Sequence, residues 1–195
     1  MAGAGAGALG LAPHSGWAAA VVLGGTRSAP AVLARERLEL ADERLAGARA
    51  PYHAMEPLPL ARAAEARRRY EASARALADR SLRALFARSA PVRAAGILDS
   101  SGRSGADLAA ILASHALIHT ADGQHFRAAL AGALEGLAVP VTRVPQRELA
   151  ARAARALGRD EADLSERVAA LGRGLGAPWG ADQKAAALLA WLLLE

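Results

Sequence analysis

The first forty residues show an apolar and polar pattern that predicts a pair of antiparallel strands. A short apolar stretch at 9–11 and a longer one at 16–23 flank a turn-like Pro-His-Ser segment. The longer stretch ends at Gly24 and Gly25, a combination typical of a turn. Residues 31–40 then alternate with period two, which indicates a second strand running antiparallel to the first.

Helical periodicity dominates the rest of the chain. Residues 60–88 repeat apolar side chains at helical spacing along one face, and most of the arginines fall on the other side. Further helices are predicted at 106–137, 146–157, 160–175 and from Asp182 to Leu194, strands at 92–98 and 140–145, and a loop with room for a short strand at 47–59. Strands that alternate with helices after an initial hairpin indicate a mixed α/β sheet flanked by helices.

The composition narrows the class of protein. The chain has 195 residues, 53% of them hydrophobic, and no cysteine, which excludes disulfide scaffolds, zinc ribbons and thiol nucleophiles. We expect a flexible Gly/Ala leader at 1–8 and a single domain at 9–195. No apolar run reaches the ~20 residues of a membrane span, and the N-terminus lacks the positive segment of a secretory signal. These features predict a cytoplasmic protein without a membrane partner.

The positive charge is concentrated in one segment. The net charge is +5, and every basic residue except Lys184 is an arginine. Residues 62–93 hold nine arginines against three acidic residues, an excess larger than the net charge of the whole chain. The run Arg67, Arg68 and Arg69 is a candidate contact for nucleic-acid phosphates. The alternative is a solvated helix face in an arginine-biased sequence, because no aromatic side chains interleave with the run to stack on bases.

Several stretches resemble one known family. An alanine-rich helix at 128–138 runs into Val-Pro-Val-Thr-Arg-Val-Pro-Gln-Arg-Glu-Leu at 139–149, the opening strand at 9–18 reads Leu-Gly-Leu-Ala-Pro-His-Ser-Gly-Trp-Ala, and 157–194 has the length and pattern of two final helices. Together these resemble the RuvC-type Holliday junction resolvases of the RNase H-like superfamily. The resemblance implies an α/β, RNase H-like mixed sheet with antiparallel leading strands, flanked by helices.

The same resemblance locates a metal-binding cleft and shows that most of its acids are missing. The family uses four carboxylates to hold two Mg²⁺ ions, which activate water against a phosphodiester. The first-strand acid falls on Ala12, the middle-strand acid near Leu98 or Asp99, and the two acids of the last helix on Asp182 and Ala185. Asp99 and Asp182 are therefore the candidate catalytic acids, with Mg²⁺ or Mn²⁺ as the implied cofactor.

Histidines add candidate ligands. His14 is either a replacement ligand or proton shuttle in the cleft, or a turn residue bonded to nearby backbone. His115, His119 and Asp122 have the spacing of one helix face, so that His115 and His119, with Asp99 and Asp182, are candidate metal ligands. The alternative is a helix N-terminal region with polar residues near a cap and a break at 120–123.

A loop after the middle strand is a candidate anion site. Residues 99–105 read Asp-Ser-Ser-Gly-Arg-Ser-Gly between a predicted strand and a predicted helix. Backbone N–H groups of such a loop can hold a phosphate, with contributions from Ser100, Ser101, Arg103 and Ser104. An ordinary connection between strand and helix is equally compatible with this sequence.

Three functions fit these features. The first is a RuvC-like protein that has lost most catalytic acids and binds nucleic acid or a protein partner. The second is a divalent-metal-dependent nuclease with a rewired site, and the third is a nucleotide or small-anion binder at the 100–105 loop. A homodimer is compatible with the apolar final helix and its Trp191, which could equally belong to the core.

Overall fold

A computed structural model describes residues 6–100 and 105–195. These residues form one five-stranded sheet and seven helices. The strands are β1 (Gly7–His14), β2 (Trp17–Gly25), β3 (Pro30–Glu39), β4 (Val92–Asp99) and β5 (Val141–Pro145). The helices are α1 (Pro51–Met55), α2 (Leu60–Phe86), α3 (Leu108–Leu112), α4 (His115–Gly136), α5 (Leu149–Leu157), α6 (Glu161–Leu171) and α7 (Ala181–Leu192).

The sheet has the spatial order β3-β2-β1-β4-β5. The leading strands β1, β2 and β3 are antiparallel neighbours, whereas β4 and β5 join β1 in the parallel direction. This confirms the predicted mixed sheet with antiparallel leading strands. Because β1, β4 and β5 are parallel, their carboxyl ends meet at one edge of the sheet, and we call this edge the strand-end edge.

Helices cover both faces of the sheet. Helices α2 and α4 pack on one face, around buried residues such as Leu9, Leu11 and Ile97. Helices α5, α6 and α7 pack on the other face, around Ala8, Ala12 and other strand side chains that point to that side. Successive side chains of a strand point to opposite faces of the sheet, so each central strand contributes to the cores on both faces.

Two adjacent glycines allow α7 to lie directly against the sheet. Gly10 of β1 and Gly96 of β4 are paired in register. A Cβ atom at Gly10 would lie 1.8 Å from the backbone oxygen of Ala186, and one at Gly96 would lie 2.5 Å from the Cγ of Leu189. The missing side chains therefore set the distance between α7 and β1, and with it the position of the start of α7.

Four predicted features differ from the structure. The 47–59 segment contains helix α1, because Pro51 favours the first turn of a helix and Tyr52 and Met55 are buried. The predicted 106–137 helix is two helices separated at Ser114, whose backbone is extended. The predicted break at 120–123 is wrong, since α4 runs through it. At the N-terminus, β1 begins at Gly7, so Gly7 and Ala8 belong to the sheet rather than to a leader.

The long helix and the last helix follow the prediction in position. The buried face of α2 includes Ala74, Ala78, Leu82 and Leu85. Trp191 of α7 is buried in the core and donates its indole N–H to the carbonyl of Arg27 at 2.9 Å. Within the described ranges, no helix is long and apolar enough to cross a membrane.

Candidate functional site at the strand-end edge

His14 and Asp182, two residues that the sequence analysis assigned to one cleft, are in contact at the strand-end edge. The Nε2 atom of His14 lies 2.9 Å from Oδ1 of Asp182, at the start of α7. The imidazole stacks on the indole of Trp17 with ring centroids 4.4 Å apart, and the guanidinium of Arg37 lies 3.9 Å from that indole. Both members of the pair are partly exposed, so solvent and bound molecules can reach them.

Asp99 lies at the same edge but on the face of the sheet that α4 covers. The amide of Gln124 donates to Oδ1 of Asp99 at 3.1 Å. The guanidinium nitrogens of Arg127 and Arg143 lie 3.7 Å and 3.6 Å from the carboxylate oxygens. The carboxylate of Asp99 is therefore balanced by two arginines, with Gln124 as an additional donor.

Arg127 is fixed by backbone carbonyl groups. It donates to the carbonyl of Leu98 at 2.9 Å and to that of Gly123 at 2.6 Å, and a weaker contact reaches Pro13 at 3.4 Å. Burial lowers the pKa of Arg127, and the nearby carboxylate of Asp99 opposes that shift. The ends of β1 and β4 are thereby bound to α4 through one side chain.

Strand parity decides which residue of β4 could join Asp182. Ala12 of β1 and Leu98 of β4 pack in the core beneath α7, where Ala185 also packs. Asp99, one residue later than Leu98, faces α4 instead. On the α7 face, the position beside Asp182 is therefore that of Leu98, whereas the side chain of Asp99 contacts Gln124 and Arg127 of α4.

The residues at this edge do not fit a two-magnesium site. Mg²⁺ requires hard oxygen ligands in octahedral geometry. Two of the positions that the resemblance assigns to carboxylates are Ala12 and Ala185, and a third, Asp182, contacts His14. The middle-strand position falls on Leu98 or Asp99, and of these only Leu98, which is apolar, packs beneath α7. No reaction step through Mg²⁺ or Mn²⁺ follows from this set of side chains.

The predicted anion-binding residues lie in two places. Ser100 follows β4, and its hydroxyl accepts a hydrogen bond from the Gln124 amide at 3.3 Å. Ser101, Arg103 and Ser104 lie outside the described residues. In α2, Arg67 lies 3.3 Å from the carboxylate of Glu71, while Arg68 and Arg69 are exposed.

His115 and His119 lie away from Asp99 and Asp182. They come together with His53 of α1, and among the described residues this is the one group of three or more potential metal ligands within reach of one another. The rewired cluster that would combine these histidines with Asp99, Asp182 and His14 is therefore not formed.

Four residues with polar roles escaped the sequence analysis. Arg127 interrupts an otherwise apolar stretch of helix, which is a signal for a buried charge with a local partner. Gln124 and Arg143 carry no such signal in the sequence. His53 lies in the segment predicted as a loop, and nothing in its spacing relates it to His115 or His119.

The mixed sheet, its antiparallel leading strands and the helices on both faces are the arrangement of an RNase H-like fold. Two solved structures of RuvC from Thermus thermophilus share this arrangement. The first, in complex with a Holliday junction substrate, has a TM-score of 0.53 and 12% identity over 96% of this chain and 91% of that chain. The second has a TM-score of 0.50 and 14% identity over 95% and 92%. The fold of this chain is RuvC-like.

Sequence comparisons add no closer assignment. No protein-family model matches the chain, and no curated protein matches it. At 12% and 14% identity, the similarity to RuvC establishes the fold, and function must be argued from the side chains.

Proposed function

We propose that this protein is a catalytically degenerate RuvC-like protein that acts in the cytoplasm by binding nucleic acid. The observation that carries the proposal is the α7 face of the strand-end edge. Ala12 and Leu98 are apolar there, and Asp182 is paired with His14. One carboxylate with a histidine partner offers too few hard ligands for the two-metal hydrolysis of a phosphodiester.

Charge at the same edge favours an anionic partner. The carboxylate of Asp99 is balanced by Arg127 and Arg143, so a nearby Mg²⁺ would face two guanidinium groups. Arg143 is exposed and can exchange its contact with Asp99, at 3.6 Å, for a phosphate oxygen. The fold also supports a nucleic-acid partner, because one RuvC structure of this fold is a complex with a Holliday junction substrate.

The arginines of α2 offer a second basic surface. Arg68 and Arg69 are exposed, and their charge is available to phosphates at longer range. A nucleic acid that contacts both surfaces would extend from the strand-end edge over α2. The homodimer with which the sequence is compatible can be tested separately by light scattering.

The test is binding and cleavage of labelled four-way junction DNA, with duplex DNA of equal length for comparison. We expect salt-dependent binding, measured by fluorescence anisotropy. We expect no cleavage products with Mg²⁺ or Mn²⁺. The slope of log Kd against log salt should shrink by about 1 in Arg143→Ala, since one phosphate contact is lost. Arg143→Lys, which keeps the charge, should retain most of the slope.

Matched variants separate the surfaces. Arg173→Ala removes an exposed arginine from the turn after α6 and should leave binding unchanged. A reduced slope in Arg68→Ala/Arg69→Ala would add α2 to the interface. Metal-dependent cleavage by the parent protein would refute degeneracy, and the absence of salt-dependent binding to either DNA would refute the nucleic-acid partner.

A further inference from the structure

Three histidines from two helices converge on the outer side of α4. His53 belongs to α1, and His115 and His119 belong to the first turns of α4. One ring nitrogen from each lies within 4.8 Å of the others. The Nε2 atoms of His115 and His119 are 3.0 Å apart. Nitrogens bound to one Zn²⁺ at 2.0–2.1 Å lie roughly 3.3 Å apart in a tetrahedron, so small side-chain rotations bring all three to one ion.

A buried carboxylate orients the histidine from α1. Oδ2 of Asp122 lies 2.5 Å from Nδ1 of His53, and Oδ1 accepts the backbone N–H of Tyr52 at 2.7 Å. An ionised carboxylate can only accept a hydrogen bond, so Nδ1 of His53 carries the proton in this contact. Nε2 of His53 then keeps its lone pair for a metal. Metal-binding histidines in proteins are commonly held by a carboxylate in this way.

We propose that His53, His115 and His119 form a binding site for a divalent transition metal ion such as Zn²⁺, with Asp122 as the positioning residue for His53. Imidazole ligands suit Zn²⁺ and its neighbours in the first transition row, whereas Mg²⁺ and Ca²⁺ prefer oxygen. Three protein ligands leave a fourth position for water. The exposure of His115 and His119 gives an ion access from solvent.

The ion would connect α1 to α4. Helix α1 has five residues, too few for a stable helix on its own. It is held by the burial of Pro51, Tyr52 and Met55 and by the contacts of Asp122. A metal bound by one residue of α1 and two of α4 adds a direct link between these helices. This proposal is independent of the nucleic-acid proposal and stands or falls separately.

The test is Zn²⁺ binding to the full-length, metal-stripped protein by isothermal titration calorimetry. We expect one Zn²⁺ per chain and no binding of Mg²⁺. Co²⁺ should give the visible absorption of a four-coordinate site. His119→Ala should weaken Zn²⁺ binding at least 100-fold, and Asp122→Asn should weaken it by about 10- to 100-fold. Circular dichroism checks that each variant is folded, and the exposed His119 keeps this test available if Asp122→Asn unfolds.

His14→Gln is the matched control. It removes a histidine from the strand-end edge and should leave the affinity for Zn²⁺ unchanged. Binding that survives His119→Ala but is lost in His14→Gln would place the ion with His14 and Asp182 and overturn the proposal. The absence of stoichiometric Zn²⁺ binding to the parent protein would overturn it as well.

Discussion

The contact between Gly10 and α7 yields a sharp prediction, because a single methyl group would meet backbone rather than a movable side chain. A Cβ atom at position 10 would lie 1.8 Å from the oxygen of Ala186 and 2.9 Å from the nitrogen of Ala190. Ordinary contacts of a Cβ atom begin near 3.4 Å. In Gly10→Ala, α7 must therefore retreat from β1 by about 1.6 Å, the difference between these two distances.

The displacement has a thermal and a local consequence. Overpacking of a core costs about 1–3 kcal/mol, and we expect the upper end here because neither backbone can yield locally. For a chain of this length, 3 kcal/mol corresponds to a fall of roughly 6–12 °C in Tm. Asp182 begins α7, so its 2.9 Å contact with His14 should also be lost.

Thermal unfolding followed by circular dichroism at 222 nm measures the effect. Gly105→Ala is the control, because its added Cβ atom would meet no non-neighbouring heavy atom within 4 Å in the part of the chain that the structure describes. The Tm of Gly96→Ala should lie between those of Gly10→Ala and Gly105→Ala, since its Cβ atom meets the side chain of Leu189 rather than backbone. A Tm for Gly10→Ala within about 2 °C of the parent, less than 1 kcal/mol by the same conversion, would refute the close approach of α7 to β1.

Two further predictions concern stability. Burial lowers the pKa of His125 to about 4, while the unfolded chain takes up a proton near pH 6.5, so the free energy of unfolding should fall by about 3 kcal/mol between pH 6.5 and 4. Urea unfolding at each pH should show this loss in the parent and not in His125→Gln. If the free energy of unfolding fell equally with pH in both proteins, the prediction would be contradicted. Asp160 caps α6 by accepting the N–H of Asp163 at 2.7 Å, so Asp160→Ala should cost about 1 kcal/mol in the same assay, with the exposed Glu166→Ala unchanged.

The elements with a clear period were predictable from the sequence. The alternation at 31–40 became β3, and the helical spacing at 60–88 became α2, because each pattern buries one face. Helix α1 was missed since its five residues are too short to show a period, and its stability comes from burial against α4. The break between α3 and α4 was predicted at 120–123, because Asp122 resembles a cap residue, but it lies at Ser114. The carboxylate of Asp122 instead contacts His53.

The candidate site was less predictable because it depends on strand parity. A shift of one residue along a strand moves a side chain to the other face of the sheet. The sequence could therefore not decide between Leu98 and Asp99 as the counterpart of Asp182. In the structure, Leu98 and Ala12 pack in the core beneath α7, whereas Asp99 contacts Gln124 and Arg127 of α4. The resemblance placed His14 and Asp182 at one cleft, but their direct contact at 2.9 Å was not predicted.

The geometry of α4 explains why the histidines and Asp99 form separate sites. Successive residues of a helix are rotated by about 100°, so His115, His119 and Asp122 lie within about 60° of one another around the axis. Gln124 and Arg127, which contact Asp99, lie about 180° and about 120° from His115 by the same rotation. A helix with its side chains is about 10–12 Å across, far more than two metal–ligand bonds. A metal held by His115 and His119 therefore cannot share Asp99, and the two sites must be tested with different ligands.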